Sequence, residues 1–296
     1  MRTWVGPLAI AVLGMACGGG ASQRSMSTVV DVGAGRMMYI ECEGVGSPAV
    51  VLVSGKGNRA DTWSTNVVDP GKPEATVFRD VGSYTRVCAY DRPMTVGTHG
   101  EPSRSDKAPE PLTAKDGADD LHALLAAANV PGPYVLVGHS YGGLVARLYA
   151  STHPGAVAGL VLEDALSEGL VAGLDAQQRA TFERLNLDPE RIDNDRSFSQ
   201  VTNAPAVRLV PMVILTADLR PISAQDVADG LFPPDVTVDF AEALWAAQVA
   251  AQDKLARLFP DALHITKTNS HHYIHYEQPQ IVIDAIRDVV AQVRSR

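Results

Sequence analysis

The residues that first invite a chemical reading are Gly138-His139-Ser140-Tyr141-Gly142, a Gly-x-Ser-x-Gly run that gains meaning when it joins a strand to a helix. Val135, Leu136 and Val137 form the short apolar run of a buried parallel strand. Beyond Tyr141 the pairs Leu144/Leu148 and Val145/Tyr149 recur at helical spacing until His153-Pro154 stops the helix. A turn that tight leaves almost no room for side chains two residues before and two after the serine, and it lifts the serine oxygen above the strand ends. Gly138 and Gly142 meet that demand.

A serine hydroxyl is a weak nucleophile at neutral pH, so this reading requires a histidine base oriented by a carboxylate. Near the C-terminus, Asn269-Ser270-His271-His272-Tyr273-Ile274-His275-Tyr276-Glu277-Gln278 lies between a strand at 263–266 and a helix opened by Pro279. Val282, Ile286, Val289, Val290 and Val293 share one apolar face of that helix. A base on this loop reaches across the strand ends toward Ser140, and His271, His272 and His275 compete for the role. Carboxylates follow two successive strands: Asp164 after 158–162 and Asp218 after 212–216. Glu163 should face the opposite side of its strand from Asp164, which sets it aside.

From about Arg36 onward the chain resembles the α/β-hydrolases, specifically the secreted bacterial esterase-like serine hydrolases. Five blocks in order carry the resemblance: Val51-Leu52-Val53-Ser54-Gly55-Lys56-Gly57, Arg86-Val87-Cys88-Ala89-Tyr90-Asp91-Arg92-Pro93, Gly138-His139-Ser140-Tyr141-Gly142-Gly143, Gly159-Leu160-Val161-Leu162-Glu163-Asp164 and His272-Tyr273-Ile274-His275-Tyr276-Glu277-Gln278-Pro279. It implies a mostly parallel eight-stranded sheet in the order 1-2-4-3-5-6-7-8, flanked by helices and carrying a small cap insertion. The family's base lies seven residues before the proline of the last helix, which selects His272. His271 then has a structural or pocket role, and His275 packs or hydrogen-bonds in the following turn.

The resemblance allows the acid after either strand. At the later one the usual pattern is a glycine with aspartate three positions on, whereas here Ala217 is followed at once by Asp218 and the third position is Arg220. That departure favours Asp164, with Asp218 as the alternative. The tetrahedral intermediate needs preorganised donors for its negative oxygen. One is the backbone N–H of Tyr141; the other is that of Lys56, because Ser54-Gly55-Lys56 stands where the family usually has His-Gly-x. The Lys56 ammonium itself is expected in solvent. Tyr90-Asp91-Arg92-Pro93 reads as structural, and Met94-Thr95-Val96-Gly97 departs from the family's glycine-rich continuation. In the family's strand order, Cys42 in Met37–Glu43 and Cys88 in 85–89 lie on neighbouring strands, which makes a cross-strand disulfide reasonable; two buried free thiols are the alternative.

The amino terminus bears on location. Arg2 precedes an apolar run, 4–16, too short to span a bilayer and long enough for a signal-peptide core. It ends in Leu13-Gly14-Met15-Ala16-Cys17, followed by Gly18-Gly19-Gly20-Ala21-Ser22, which resembles a bacterial lipobox with leucine one place early. The expectation is an exported protein, a lipoprotein anchored through Cys17 with 18–28 as a flexible tether; simple cleavage and secretion is the alternative. The two remaining cysteines suit an oxidising compartment.

Residues 29–296 suffice for one α/β domain, and Val-rich strands alternate with helical stretches such as 113–128, where Thr113 and Asp116 form a capping-box-like start. A net charge of −9 without a basic cluster argues against nucleic acid and against anionic lipid as partners. No metal-ligand spacing or phosphate loop implies a metal or a cofactor. A cap is expected at 166–207, with seven acids, four arginines and only Phe182 and Phe198 as aromatics. Such a polar cap suits small to medium soluble esters better than insoluble lipid. A second segment, 219–260, brings Phe232, Phe240 and Trp245 toward the pocket or the scaffold. These features describe a carboxylesterase working through an acyl-enzyme on Ser140. The same triad also runs amide hydrolysis or peracid formation, an acidic cap could hold a substrate's amino group, and the fold also serves as a non-catalytic ligand receptor.

Overall fold

The computed structural model describes residues 25–65, 75–185 and 188–296. Eight strands form one sheet: β1 (Ser25–Asp31), β2 (Met37–Glu43), β3 (Ala49–Val53), β4 (Val87–Tyr90), β5 (Tyr134–His139), β6 (Val157–Glu163), β7 (Met212–Leu215) and β8 (Leu263–Ile265). Their order is β1-β2-β4-β3-β5-β6-β7-β8, antiparallel where β2 meets β1 and β4 and parallel elsewhere. This is the order and polarity that the sequence blocks implied.

The helices follow the chain between strands. They are α1 (Val77–Gly82), α2 (Ala114–Ala127), α3 (Tyr141–Thr152), α4 (Gly169–Ala172), α5 (Ala176–Leu185), α6 (Asn194–Thr202), α7 (Ala224–Ala228), α8 (Val238–Leu258), α9 (Ile274–Glu277) and α10 (Pro279–Arg294). Because side chains alternate along a strand, the central strands feed two cores at once. Val51, Val53, Leu136 and Leu162 pack with Leu121, Leu124, Leu144 and Leu148 of α2 and α3, while Val50, Leu52, Val137 and Val161 pack with Val81 of α1 and Ile283, Ile286 and Val289 of α10. Central strands buried on both faces explain the continuous valine and leucine runs of β3 and β5. Thr113 caps α2 as expected: its hydroxyl accepts from the N–H of Asp116, whose carboxylate accepts from the N–H of Thr113. Such a cap contributes about 1 kcal/mol.

Two expectations change at the domain's margins. Residues 25–28, counted with the tether, belong to β1, where Ser25 pairs with Glu43 and Thr28 with Ile40. An exposed edge strand has the polar composition of a linker; only Met26 and Val30 of β1 pack against the core. Cys17 and the expected signal segment lie outside the described residues. The cap also proves to have two parts, α4 to α6 between β6 and β7, and α7 and α8 between β7 and β8, with Leu170 of α4 packed on Ala247 and Ala251 of α8. Among the described residues no helix is long and apolar enough to cross a membrane.

Cys42 and Cys88 are register partners on β2 and β4, their Cα atoms 4.0 Å apart, and they form a disulfide that closes a sequence separation of 46 residues. A cross-link of that span stabilises mainly by restricting the unfolded chain, by roughly 2–4 kcal/mol. Denatured, unreduced protein is therefore expected to leave neither thiol free for iodoacetamide, and Cys42→Ser/Cys88→Ser is expected to lower the unfolding free energy by that amount in a urea titration. Two reactive thiols in the unreduced protein would contradict the pairing.

Candidate active site

The candidate residues lie on the turns, loops and helix starts that follow the carboxyl ends of β3, β5, β6, β7 and β8. β5 delivers His139 and α3 starts at Tyr141, so Ser140 alone turns the corner, at φ 51° and ψ −123°. A residue other than glycine adopts such a backbone only when its surroundings over-determine it. Here the Ser140 N–H donates to the carbonyl of Glu163 (3.0 Å), and its carbonyl accepts from the N–H groups of Gly143 and Leu166 (both 2.9 Å). The flanking glycines are steric necessities: a Cβ on Gly138 would lie 2.6 Å from the Gly142 oxygen, and one on Gly142 would lie 2.1 Å from the Val53 oxygen.

The structure pairs His272 with Asp164 and gives Asp218 other partners. His272 Nδ1 lies 2.6 Å from Asp164 Oδ2, whose other oxygen accepts from the N–H of Ala217 at 3.3 Å. Asp164 is 2% exposed, so its charge is dry and directed. Asp218 instead braces the loop after β8: its Oδ1 accepts from Thr268 Oγ1 and from the N–H of Ser270, each at 3.2 Å. Burial alone lowers the pKa of the His272 imidazolium, but the hydrogen bond and charge of Asp164, with the charge of Glu163 behind it, outweigh that and raise it above the ordinary histidine value. With Nδ1–H directed at Asp164, Nε2 is the nitrogen left to accept a proton.

The neighbouring histidines separate by environment. His271 is exposed and pairs with Glu277 at 3.1 Å. His275 is buried: its Nδ1 (2.6 Å) and backbone N–H (2.8 Å) both donate to Glu163 Oε1. Asp164 lies one residue past the end of β6 at φ 36°, so strand alternation does not fix its direction, and Glu163 holds the same loop through His275. His139 adds a further tie, Nε2 to the His272 carbonyl at 3.0 Å. Burial, reinforced by His272 and His275, keeps His139 neutral with a pKa well below the ordinary range. His139, Glu163 and His275 are also the one group among the described residues with ligating atoms close enough for a metal, within 4.8 Å. The contacts just described engage His139 Nε2, His275 Nδ1 and Glu163 Oε1, while His139 Nδ1 and Glu163 Oε2 are buried without a hydrogen-bond partner among the described residues.

Ser140, Asp164 and His272 line one cavity of about 360 Å³ together with Tyr141 and Lys56, whose backbone N–H groups were the expected oxyanion donors. The Lys56 ammonium is not free in solvent as expected: it donates to the Asp188 carbonyl of the cap at 3.1 Å, and burial lowers its pKa despite nearby Glu190 and Asp188. Leu166, Leu170 and Phe182 wall the cavity from the first insertion, and Leu219, Phe232 and Trp245 from the second. Phe198 and Phe240 are buried in the scaffold instead. None of the seven acids of 166–207 lines the cavity; Glu168 pairs with Arg147, Glu190 with Arg92, and Asp195 with Arg179. A larger groove of about 590 Å³, lined by Arg147, Glu168, Lys254 and Phe259, includes none of Ser140, Asp164 and His272.

Sequence reasoning passed over Glu163 and Glu190. The partners of Glu163 and Glu190 are 112 and 98 residues distant, so no local spacing marks them. Strand alternation was the one usable signal for Glu163, since it places a charged residue on a fully buried face.

Comparison with known proteins agrees with this architecture. Residues 50–285 match the profile of the alpha/beta hydrolase family. The chain is 25% identical over 252 residues to the uncharacterized Bacillus subtilis (strain 168) protein YqjL, covering 83% of this chain and 85% of that one. Among solved structures it superposes on a thermophilic esterase from Thermogutta terrifontis with a TM-score of 0.55 at 20% identity, over 91% of this chain and 98% of that chain. It superposes equally on the haloalkane dehalogenase DatA from Agrobacterium tumefaciens C58, with a TM-score of 0.58 at 14% identity, over 91% and 97%. Likeness to both kinds of enzyme carries the fold and leaves the chemistry to the side chains. A chain with this strand order, this serine turn and a family match over most of its length belongs to the alpha/beta hydrolase family.

Proposed function

We propose that the protein is a serine hydrolase, a carboxylesterase for small to medium soluble esters. The observation that carries this reading is the convergence, in one cavity, of Ser140 on its strained turn with a His272 already held by Asp164. Ser140 Oγ attacks the ester carbonyl while His272 Nε2 accepts its proton, and the same proton then passes to the leaving alcohol. Asp164 keeps the imidazole in the required tautomer and stabilises the imidazolium. The N–H groups of Tyr141 and Lys56 receive the developing oxyanion. Water deacylates the serine ester by the reverse sequence.

Cavity chemistry supports an uncharged, moderately apolar acyl or alcohol group. The walls are mostly aliphatic and aromatic, and Asp164, the one acid among them, is occupied by His272. An acidic anchor for a substrate's amino group, which would favour an aminopeptidase, is therefore missing among the described lining residues. The Cys42–Cys88 disulfide supports export to an oxidising compartment, with lipidation at Cys17 as the proposed anchor.

A fluorophosphonate probe is expected to label the wild-type protein once, on the peptide carrying Ser140, and to spare Ser140→Ala; initial rates are expected to rank p-nitrophenyl acetate and medium-chain esters above aminoacyl amides. Label on another residue would overturn the assignment, and faster amide turnover would move the substrate class. Asp164→Asn is expected to cost on the order of 10⁴ in kcat by imposing the wrong tautomer, with Asp218→Asn mild. The reverse ranking would transfer the acid to Asp218.

The base must be neutral to work, so kcat/KM falls as pH drops through the His272 pKa. Because that pKa is raised, the wild-type limb is expected above the ordinary histidine value of about 6.5. In Asp164→Asn, which loses the principal charge raising it, the limb is expected at lower pH. A limb unmoved by Asp164→Asn would show that another group titrates.

A further inference from the structure

The loop after β3 that supplies the Lys56 N–H is held by groups that no local motif explains. Arg92, which follows β4, is 3% exposed and donates to the carbonyls of Ser54 and Gly55, both at 2.7 Å. Its guanidinium also forks onto Glu190 at 2.8 and 2.9 Å. Glu190 is 0% exposed and reaches down from the first cap insertion, and its Oε2 accepts in addition from the N–H of Gly57 at 2.7 Å. The same guanidinium carbon lies 5.3 Å from the ring centroid of Tyr141, whose N–H is the other oxyanion donor. Gly57 has φ 74°, and a Cβ there would meet the side chain of Pro189 at 3.0 Å, so the cap residue beside Glu190 packs directly on the loop.

We infer that Arg92 and Glu190 are positioning residues that set the oxyanion hole, Arg92 fixing the carbonyls on one side of the Lys56 peptide and Glu190 the N–H on the other. A peptide tied on both flanks cannot turn its N–H out of line, and a donor aligned before the reaction needs no reorganisation when charge develops. Arginine's planar fork can serve two carbonyls and one carboxylate together; a lysine ammonium, with the same charge, cannot span them. The cap is thereby part of the hole: residues 188–190 form a fixed root, tied also through Lys56 Nζ to the Asp188 carbonyl, while the pocket walls farther along are free of this constraint.

The inference rests on the serine hydrolase reading, and the test separates the two. Arg92→Lys and Glu190→Gln, the second retaining an acceptor for Gly57, are compared with wild type for circular dichroism, kcat, KM, pH profile and affinity for an alkyl boronic acid that mimics the tetrahedral intermediate. In the folded variants kcat is expected to fall on the order of 10- to 100-fold, with KM within about twofold, since the loss of an oxyanion donor altogether costs on the order of 10²–10³. Boronate affinity is expected to fall in parallel, and the acid limb set by His272 is expected to stay in place. Folded variants with kcat and boronate affinity within about twofold of wild type would overturn the inference alone, as would loss of the folded state without a specific loss of turnover in whichever variant folds. An inactive wild type would overturn the hydrolase reading and this inference with it.

Discussion

Two consecutive carboxylates at the end of β6 constrain the site more than any other feature. Glu163, the last residue of β6, and Asp164, the first beyond it, both take hold of the loop that carries the histidines, Asp164 at His272 and Glu163 at His275. A loop gripped at two points three residues apart has little freedom to swing its imidazole. Buried carboxylates are costly unless hydrogen-bonded; both oxygens of Asp164 have partners, whereas Glu163 is held through Oε1 alone. The strained Ser140 depends on the same place, because its N–H donates to the Glu163 carbonyl and the N–H of Leu166 closes on its own carbonyl. Ser140, His272 and Asp164 are thus parts of one junction between β5, β6 and α9.

The cap belongs to this junction and does more than cover it. Its root reaches the oxyanion loop through Glu190, and its walls meet those from the second insertion above Ser140. Removing water from such a cavity strengthens fixed dipoles and the Asp164–His272 pair alike. The cost falls on ionic groups such as Lys56, which is drawn to a cap carbonyl and has its pKa lowered. A polar outer surface over an apolar inner lining explains how an insertion with so many acids encloses a cavity that offers none of them to a ligand.

What could be read from the sequence divides along physical lines. The elbow was legible because its steric demand is local: Gly138 and Gly142 are needed wherever such a turn follows a strand. The strands and α2 were legible from alternation, apolar runs and the Thr113 cap. The choice of His272, the preference for Asp164 over Asp218 and the neighbouring strands of Cys42 and Cys88 came from the family resemblance, and the structure pairs His272 with Asp164 and Cys42 with Cys88. The contacts of Glu163, Glu190 and Arg92 were illegible because they join segments far apart in the chain. β1 was partly mistaken for a tether because an exposed edge strand and a linker share the same polar composition.

The central claim is that chemistry passes through a serine ester on this turn, and rapid-quench mass analysis tests it most directly. Mixed with a p-nitrophenyl ester and quenched in acid within the first turnover, the protein is predicted to release a burst of about one equivalent of p-nitrophenol and to carry the acyl mass on the peptide containing Ser140. Steady turnover with no burst and no acylated Ser140 peptide under those conditions, or the acyl group on another residue, would contradict the account.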